Sequence, residues 1–227
     1  MKWIFFDCFN TLIDEADALT GESGMEPIAH VPVAAGVFDH PDDFMAAYFG
    51  WRSSAWKDGN AYPEVTLPER LRSLLGPRCS EALLGPLVDE MIDTFKRWYP
   101  ATLTLTPGVL SMLEVLAPHY RMGVVSNFFL PGTVDEVLEQ FHIRHRFAFA
   151  VNSADIGFKK PDPRIYVHAL SLAGCSASDV CFVGDNLEND VRAPIRHGMY
   201  AVHFDRRHSA AATPRIASWD EFEPVFS

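Results

Sequence analysis

Apolar positions in much of this chain fall into short unbroken runs, separated by stretches with helical spacing. The runs are Trp3–Asp7 (WIFFD), Arg121–Ser126 (RMGVVS), Phe147–Val151 (FAFAV), Val180–Gly184 (VCFVG) and Met199–Phe204 (MYAVHF). Runs without clean alternation predict strands covered on both faces. Between them, Val109, Met112, Leu113 and Leu116 share one helical face behind Pro107-Gly108. Val134, Val137, Leu138 and Phe141 do the same within Gly132–Phe141, and Pro163–Ala173 and Asn189–His197 complete the helices. Pro163 suits a first helical turn. Repeated strand–helix units predict an α/β fold: a parallel sheet with right-handed crossovers and helices on both faces.

The pattern changes between about residues 15 and 100, where no comparable strand occurs. Ala16–His40 is rich in Gly, Pro and acidic residues and reads as loop. Helical segments follow at Asp42–Trp56, Pro68–Leu75 and Ser80–Trp98, with Pro68 and Ser80 as starts. Phe44, Tyr48, Trp51, Trp56, Leu71, Leu74, Leu83, Leu87, Ile92, Phe95 and Trp98 predict a packed helical unit. The division expected is a core of residues 1–14 and 100–227, with a helical domain of residues 15–99 inserted after the first strand. At the far end, RIASWDEFEPVF predicts an edge strand and a short helix, with Trp219 and Phe222 packed on the core. Arg206-Arg207-His208 reads as a solvated loop, and His203 and His208 lack a metal-ligand partner pattern.

Composition narrows the function classes. Of 227 residues 48% are hydrophobic, enough for a sizeable core, and the formal net charge is −11. A field of that sign disfavours nucleic acid and anionic membrane as partners but leaves room for a small anionic substrate held by local groups. No apolar stretch is long enough to span a bilayer. The chain enters a strand-like run at once, without a secretory pattern. Cys8, Cys79, Cys175 and Cys181 show no C-x-x-C spacing and read as reduced thiols, which predicts a cytoplasmic protein.

In a parallel α/β sheet, ligands bind beyond the carboxyl ends of the strands. Asp7 follows the first run, with Asn10-Thr11 close behind. Ser126-Asn127 end the second, FKKPDP with Lys159 and Lys160 follows the third, and GDNLEND with Asp185 and Asp190 follows the fourth. Three carboxylates gathered on one edge repel one another, so a lysine and a divalent cation are expected to neutralise them. Oxygen donors without a His/Cys cluster suit Mg²⁺ rather than zinc. Such a site suits an aspartate nucleophile, an aspartyl-phosphate intermediate, and Thr11, Ser126 and Asn127 holding the oxygens of the transferring group.

DxxxT after the first strand, SN after the second, KKPDP, and GDxxxND resemble, in that order, the haloacid dehalogenase (HAD) superfamily. The resemblance covers essentially the whole chain. It implies a Rossmannoid three-layer core with an all-helical cap inserted after the first motif. It also implies that Asp7 is the nucleophile, that Ser126 and Lys160 bind the transferring group, and that Mg²⁺ is held by Asp7, Asp185, Asp190 and the backbone carbonyl of Phe9. Lys160 is preferred to Lys159 because it directly precedes Pro161.

One position departs from the superfamily's phosphatases. They carry D-x-D-x-T, and the second aspartate is their general acid and base, a role typically worth ~10²–10⁴-fold. Phe9 stands there in this chain. The superfamily's dehalogenases resemble D-x-aromatic-x-T instead; they attack carbon, release halide without a proton and need no metal. Trp51-Arg52 is similar to the Trp–Arg pair of some of them, whose arginine helps the halide depart. The fourth motif points the other way, because those dehalogenases have SSN where this chain has GDN. Relatives of phosphonoacetaldehyde hydrolase also lack the second aspartate and use a cap lysine as a Schiff base; Lys57 is the only lysine between Lys2 and Lys96. The expectation is a hydrolase, with Mg²⁺-dependent hydrolysis of a small phosphorylated metabolite as the leading reading. A metal-independent 2-haloacid dehalogenase-like enzyme and a catalytically weak binding protein are the alternatives.

Overall fold

The computed structural model describes residues 2–16, 23–55, 63–206 and 214–222; Trp56, Lys57, Arg207 and His208 lie outside them. It divides into two compact units, Met1–Asp14 with Thr104–Ser227, and Glu15–Leu103.

The helical unit contains α1 (His30–Ala34), α2 (Pro41–Ala55), α3 (Leu67–Leu75) and α4 (Glu81–Trp98). Two details differ from the sequence expectation. Part of the stretch read as loop is helical: a 3₁₀ turn at Ser23–Ile28 leads into α1, because Met25, Ile28, Ala29 and Val31 are buried there. α3 starts at Leu67 rather than Pro68, behind a capping box in which the Glu69 carboxylate accepts from the Thr66 N–H and hydroxyl at 2.8 and 2.7 Å. Phe44, Tyr48, Leu71, Leu75, Val88, Met91 and Phe95 form the unit's interior. Trp51 and Trp98 are half-buried, and Leu83 is exposed. Inside that apolar set, Arg70 pairs with Glu64 at 3.2 Å and donates to the Val65 carbonyl at 2.7 Å and the Tyr48 hydroxyl at 3.2 Å.

The strands are β1 (Trp3–Phe6), β2 (Ile13–Glu15), β3 (Leu103–Leu105), β4 (Arg121–Ser126), β5 (Phe149–Asn152), β6 (Val180–Gly184), β7 (Tyr200–Phe204) and β8 (Arg215–Ile216). β2 and β3 pair with each other. The other six form one sheet in the order β5-β4-β1-β6-β7-β8, every neighbouring pair parallel. This is the α/β architecture that the hydrophobic pattern predicts. Between the strands lie α5 (Val109–Leu116), α6 (Thr133–Gln140), α7 (Ser153–Ile156), α8 (Pro163–Ala173) and α9 (Ala193–Arg196). α8 begins at Pro163, as expected, with the Asp162 side chain accepting from the Arg164 N–H.

All residues of β1 are buried, which explains the unbroken run WIFF. Trp3 and Phe5 meet Phe149 with ring centroids 5.7 and 5.3 Å away, in a cluster that α8 joins through Ile165, Tyr166, Ala169 and Ala173. Gly123 on β4 makes room for that ring, since a Cβ there would lie 2.4 Å from Phe149 Cζ. Phe6 meets Trp219 at 5.8 Å, and Trp219 stacks on Phe204 at 4.6 Å. With β1 at the centre, its carboxyl end opens between those of β4 and β6, and Asp7 follows there.

Removing one partner of a buried ion pair leaves the other uncompensated, at a cost of about 3–5 kcal/mol. Arg70→Met is therefore expected to destabilise the helical unit on that scale, measured by urea unfolding with tryptophan fluorescence. Arg70→Met/Glu64→Leu should recover most of the loss. A double variant as unstable as the single one would show that packing by the arginine, not charge pairing, matters at this position.

Candidate active site

The Asp7 N–H donates to the Val183 carbonyl at 2.9 Å, which hooks the end of β1 to β6. The chain then turns tightly, with the N–H groups of Leu12 and Ile13 on the Cys8 carbonyl at 2.8 and 3.0 Å. Asn10 takes a left-handed φ of 59° in this turn, a conformation that asparagine tolerates better than most residues. Contacts from distant segments hold the loop. The Thr11 hydroxyl accepts from the Asp185 N–H at 3.1 Å, and Trp219 Nε1 donates to the Thr11 carbonyl at 3.2 Å. Arg206 grips Asp14 through two hydrogen bonds of 2.9 and 2.7 Å and reaches the Asn10 carbonyl at 3.2 Å.

β4 ends at Ser126, whose hydroxyl donates to Asp7 Oδ1 at 3.1 Å. Asn127 spends its amide on the backbone of Lys160, accepting from its N–H at 2.7 Å and donating to its carbonyl at 2.9 Å. The clamp aims a buried ammonium: Lys160 Nζ lies 2.7 Å from Asp7 Oδ1 and 2.6 Å from Asp190 Oδ1. Burial works against its charge, but Asp190 and Asp7 outweigh burial and hold Lys160 above the ordinary lysine value. The Lys160–Pro161 peptide is cis.

β6 ends at Gly184. A Cβ there would sit 2.5 Å from the Asp190 carboxyl carbon, so only glycine lets this acid pack against the strand end. The chain then forms a π-helical turn, Leu187–Arg192, that continues into α9. The helix thus begins before the expected Asn189, with the Asn186 side chain capping the N–H groups of Glu188 and Asn189 at 3.1 and 3.0 Å. Wide turns of this kind often occur at functional sites. This one folds Asp190 back, and its Oδ2 accepts from the Asn186 N–H at 2.9 Å. The Tyr166 hydroxyl donates to the Asn189 carbonyl and braces the turn.

Asp7, Asp185 and Asp190 offer carboxylate oxygens that all lie within 4.8 Å of one another. Burial, opposed by Lys160 and helped by Asp7, pushes Asp190 up to about 6. Asp185 keeps solvent exposure as a residue, yet burial of its carboxyl and the charges of Asp7 and Asp190 push it up to about 8. One lysine among three acids leaves excess negative charge, and the donors are all oxygen. The set therefore fits a hard divalent cation such as Mg²⁺.

Phe9 is buried beside this cluster. Its ring packs on Phe128 at 4.7 Å with a 32° tilt, and Phe128 stacks on Phe129 at 4.7 Å. The residue following Ser126-Asn127 thus completes an aromatic stack with the residue that stands in place of a second carboxylate.

The core unit brings together Asp7, Ser126, Lys160, Asp185 and Asp190. Two residues expected to hold substrate have other contacts. Thr11 is 0% exposed and its hydroxyl serves the Asp185 backbone, so it shapes the site from behind. Asn127 positions Lys160. Arg52 belongs to α2 in the helical unit, half-buried, where burial and the charge of Arg70 lower its pKa. Two residues passed over in the sequence contribute. Arg206, read as solvated loop, anchors the Asp7 loop through Asp14. His203 is buried, with Nε2 2.8 Å from the Asp185 carbonyl oxygen. Neither has a local sequence signal.

The family model described as haloacid dehalogenase-like hydrolase matches residues 1–198. The pyrimidine 5'-nucleotidase YjjG of Escherichia coli is 31% identical over 129 residues, 54% of this chain and 56% of that protein. The glyceraldehyde 3-phosphate phosphatase of Methanopyrus kandleri is 35% identical over 110 residues, 48% of this chain and 47% of that protein. The chain thus aligns with about half the length of these curated relatives. A solved structure of a 2-haloacid dehalogenase from Pseudomonas syringae superposes with a TM-score of 0.77 at 24% identity, covering 97% of this chain and 95% of that one; at that identity the likeness speaks for the fold. Matched along most of its length, and carrying the crowded carboxylates and buried lysine at its strand ends, the chain belongs to the haloacid dehalogenase-like hydrolase family.

Proposed function

We propose that this enzyme hydrolyses a small phosphorylated metabolite with the help of Mg²⁺, using Asp7 as nucleophile. The observation that carries the proposal is the acid set: Asp7, Asp185 and Asp190 within 4.8 Å, with one buried lysine bridging Asp7 and Asp190. A dehalogenase working without metal has no use for that repulsion. In this reading Asp7, Asp185, Asp190 and the Phe9 carbonyl would hold Mg²⁺, which when bound would offset charge on the phosphoryl oxygens.

The chain's own groups do the rest. An oxygen of Asp7 attacks phosphorus and forms an aspartyl phosphate. Lys160, pinned by Asn127, fixes the direction of attack and stabilises the added charge. Ser126 leaves Asp7 to hold a phosphoryl oxygen. Water then cleaves the acyl phosphate, which restores the Asp7 carboxylate and releases phosphate. The insert Glu15–Leu103 takes the part of the cap, and Arg52 that of a substrate contact within it. The similarity to a pyrimidine 5'-nucleotidase and a glyceraldehyde 3-phosphate phosphatase supports a small phosphorylated substrate, as does the net charge of −11, which disfavours polyanions. No described helix is long and apolar enough to cross a membrane. The described cysteines are free thiols, in keeping with a cytoplasmic setting.

Phe9 supports a second reading, C–halogen hydrolysis of a short 2-haloacid, because halide leaves without a proton. The two readings separate in one assay. Phosphate release from a panel of phosphate esters is expected to require Mg²⁺ and to vanish with EDTA and in Asp7→Asn. Halide release that persists in EDTA would transfer the assignment to the dehalogenase reading. Lys160→Met is expected to lower kcat by roughly 10²–10³-fold, the scale for losing one preorganised electrostatic stabiliser. A loss confined to KM would instead make Lys160 a binding group only.

A further inference from the structure

The least furnished part of the site is the one that must deal with the leaving group. In the core unit, the described polar side chains beside Asp7 are committed elsewhere, Asp185 among them as one of the groups proposed above to hold Mg²⁺, a role that needs it ionised. Both short contacts of Lys160 Nζ go to Asp7 and Asp190. Asp190 is fully buried, with Oδ1 on Lys160 and Oδ2 on the Asn186 N–H. The Ser126 hydroxyl donates to Asp7. Two residues beyond Asp7 the chain offers Phe9, locked at 4.7 Å against Phe128, which in turn stacks on Phe129. That flank is hydrocarbon.

From this we infer, resting on the phosphatase reading above, that the substrates are phosphates of acidic hydroxyl groups, above all acyl phosphates, the mixed anhydrides of phosphoric and carboxylic acids. When Asp7 attacks, the bond from phosphorus to the leaving oxygen breaks and its electron pair stays on that oxygen. An alkoxide formed this way needs a proton, since its conjugate acid is about as weak as water, with a pKa of about 15.7. A carboxylate needs none, since its conjugate acid has a pKa of about 4. In the second half-reaction water adds to the aspartyl phosphate. Its oxygen bonds to phosphorus, the bond from phosphorus to the Asp7 oxygen breaks with the electron pair staying on Asp7, one water proton goes to the phosphate or to solvent, and phosphate is released. The aspartyl phosphate is itself an acyl phosphate, so this second half-reaction also expels a group that needs no acid. The site is thus furnished to break anhydride-like bonds in both halves of its cycle.

The test is the dependence of rate on the leaving group. With the full-length protein at saturating Mg²⁺, kcat/KM is measured for acetyl phosphate, for aryl phosphates from dinitrophenyl to unsubstituted phenyl, and for a simple alkyl phosphate. The expected result is a steep fall as the leaving group becomes more basic, with acetyl phosphate ahead of the alkyl phosphate by at least the ~10²–10⁴-fold that general acid help supplies. Phe9→Asp is expected to narrow that ratio by an order of magnitude or more. The native series decides the matter even if Phe9→Asp fails to fold. A flat native series with full Mg²⁺ and Asp7 dependence would overturn this inference alone, because a proton donor must then act. No Mg²⁺-dependent release of phosphate from even acetyl phosphate would overturn the phosphatase reading as well.

Discussion

The ammonium of Lys160, held between Asp7 and Asp190 at 2.7 and 2.6 Å, is the contact on which the site is organised. Buried carboxylates of like charge do not share so small a volume unless a cation joins them. The lysine supplies one positive charge against three acids, and burial together with the charges of Asp7 and Asp190 pushes Asp185 up to about 8. The neighbouring architecture follows from keeping that ammonium in place. Asn127 clamps its backbone, the Phe182 ring lies 5.2 Å beneath it, and Asp190 is folded toward it by a π-helical turn that Gly184 alone accommodates.

The loop after β1 obeys a similar logic with weaker forces. Its tight turn would present unpaired polar groups without partners. Asp185, Trp219 and Arg206 supply them to Thr11 and Asp14, drawn from segments far apart in the chain. Thr11 and Asn127 thereby become framework: a hydroxyl or amide used to fix a neighbour's backbone holds the reacting groups in register. Phe9 belongs to the same loop but faces the other way chemically. Its packing on Phe128 gives the site one charged flank and one apolar flank.

Much of this was legible beforehand. Parallel pairing brings the carboxyl ends of β1, β4 and β6 to one edge, so residues that follow unbroken apolar runs share that edge whatever the loops do. Asp7, Ser126, Lys160, Asp185 and Asp190 could be grouped on that ground. The contacts of Thr11, Asn127, His203 and Arg206 could not, because their partners lie 174, 33, 18 and 192 residues away. A hydroxyl, amide or guanidinium reads alike whether it faces substrate or a neighbouring carbonyl. The short helix α1 was hidden for a different reason: its Gly- and Pro-rich surroundings obscure the burial of Met25, Ile28 and Val31 that stabilises it.

By itself, then, the sequence determined the α/β class, the helical insertion, the acids and lysine at the strand ends, and the absence of a second carboxylate at position 9. Periodicity and residue chemistry are local properties and survive without coordinates. Only the tertiary structure decided that Lys160 bridges two of the acids, that Thr11 and Asn127 point at backbone, and that Phe9 is held in an aromatic stack. Those are matters of direction and distance, set where segments from opposite ends of the chain meet.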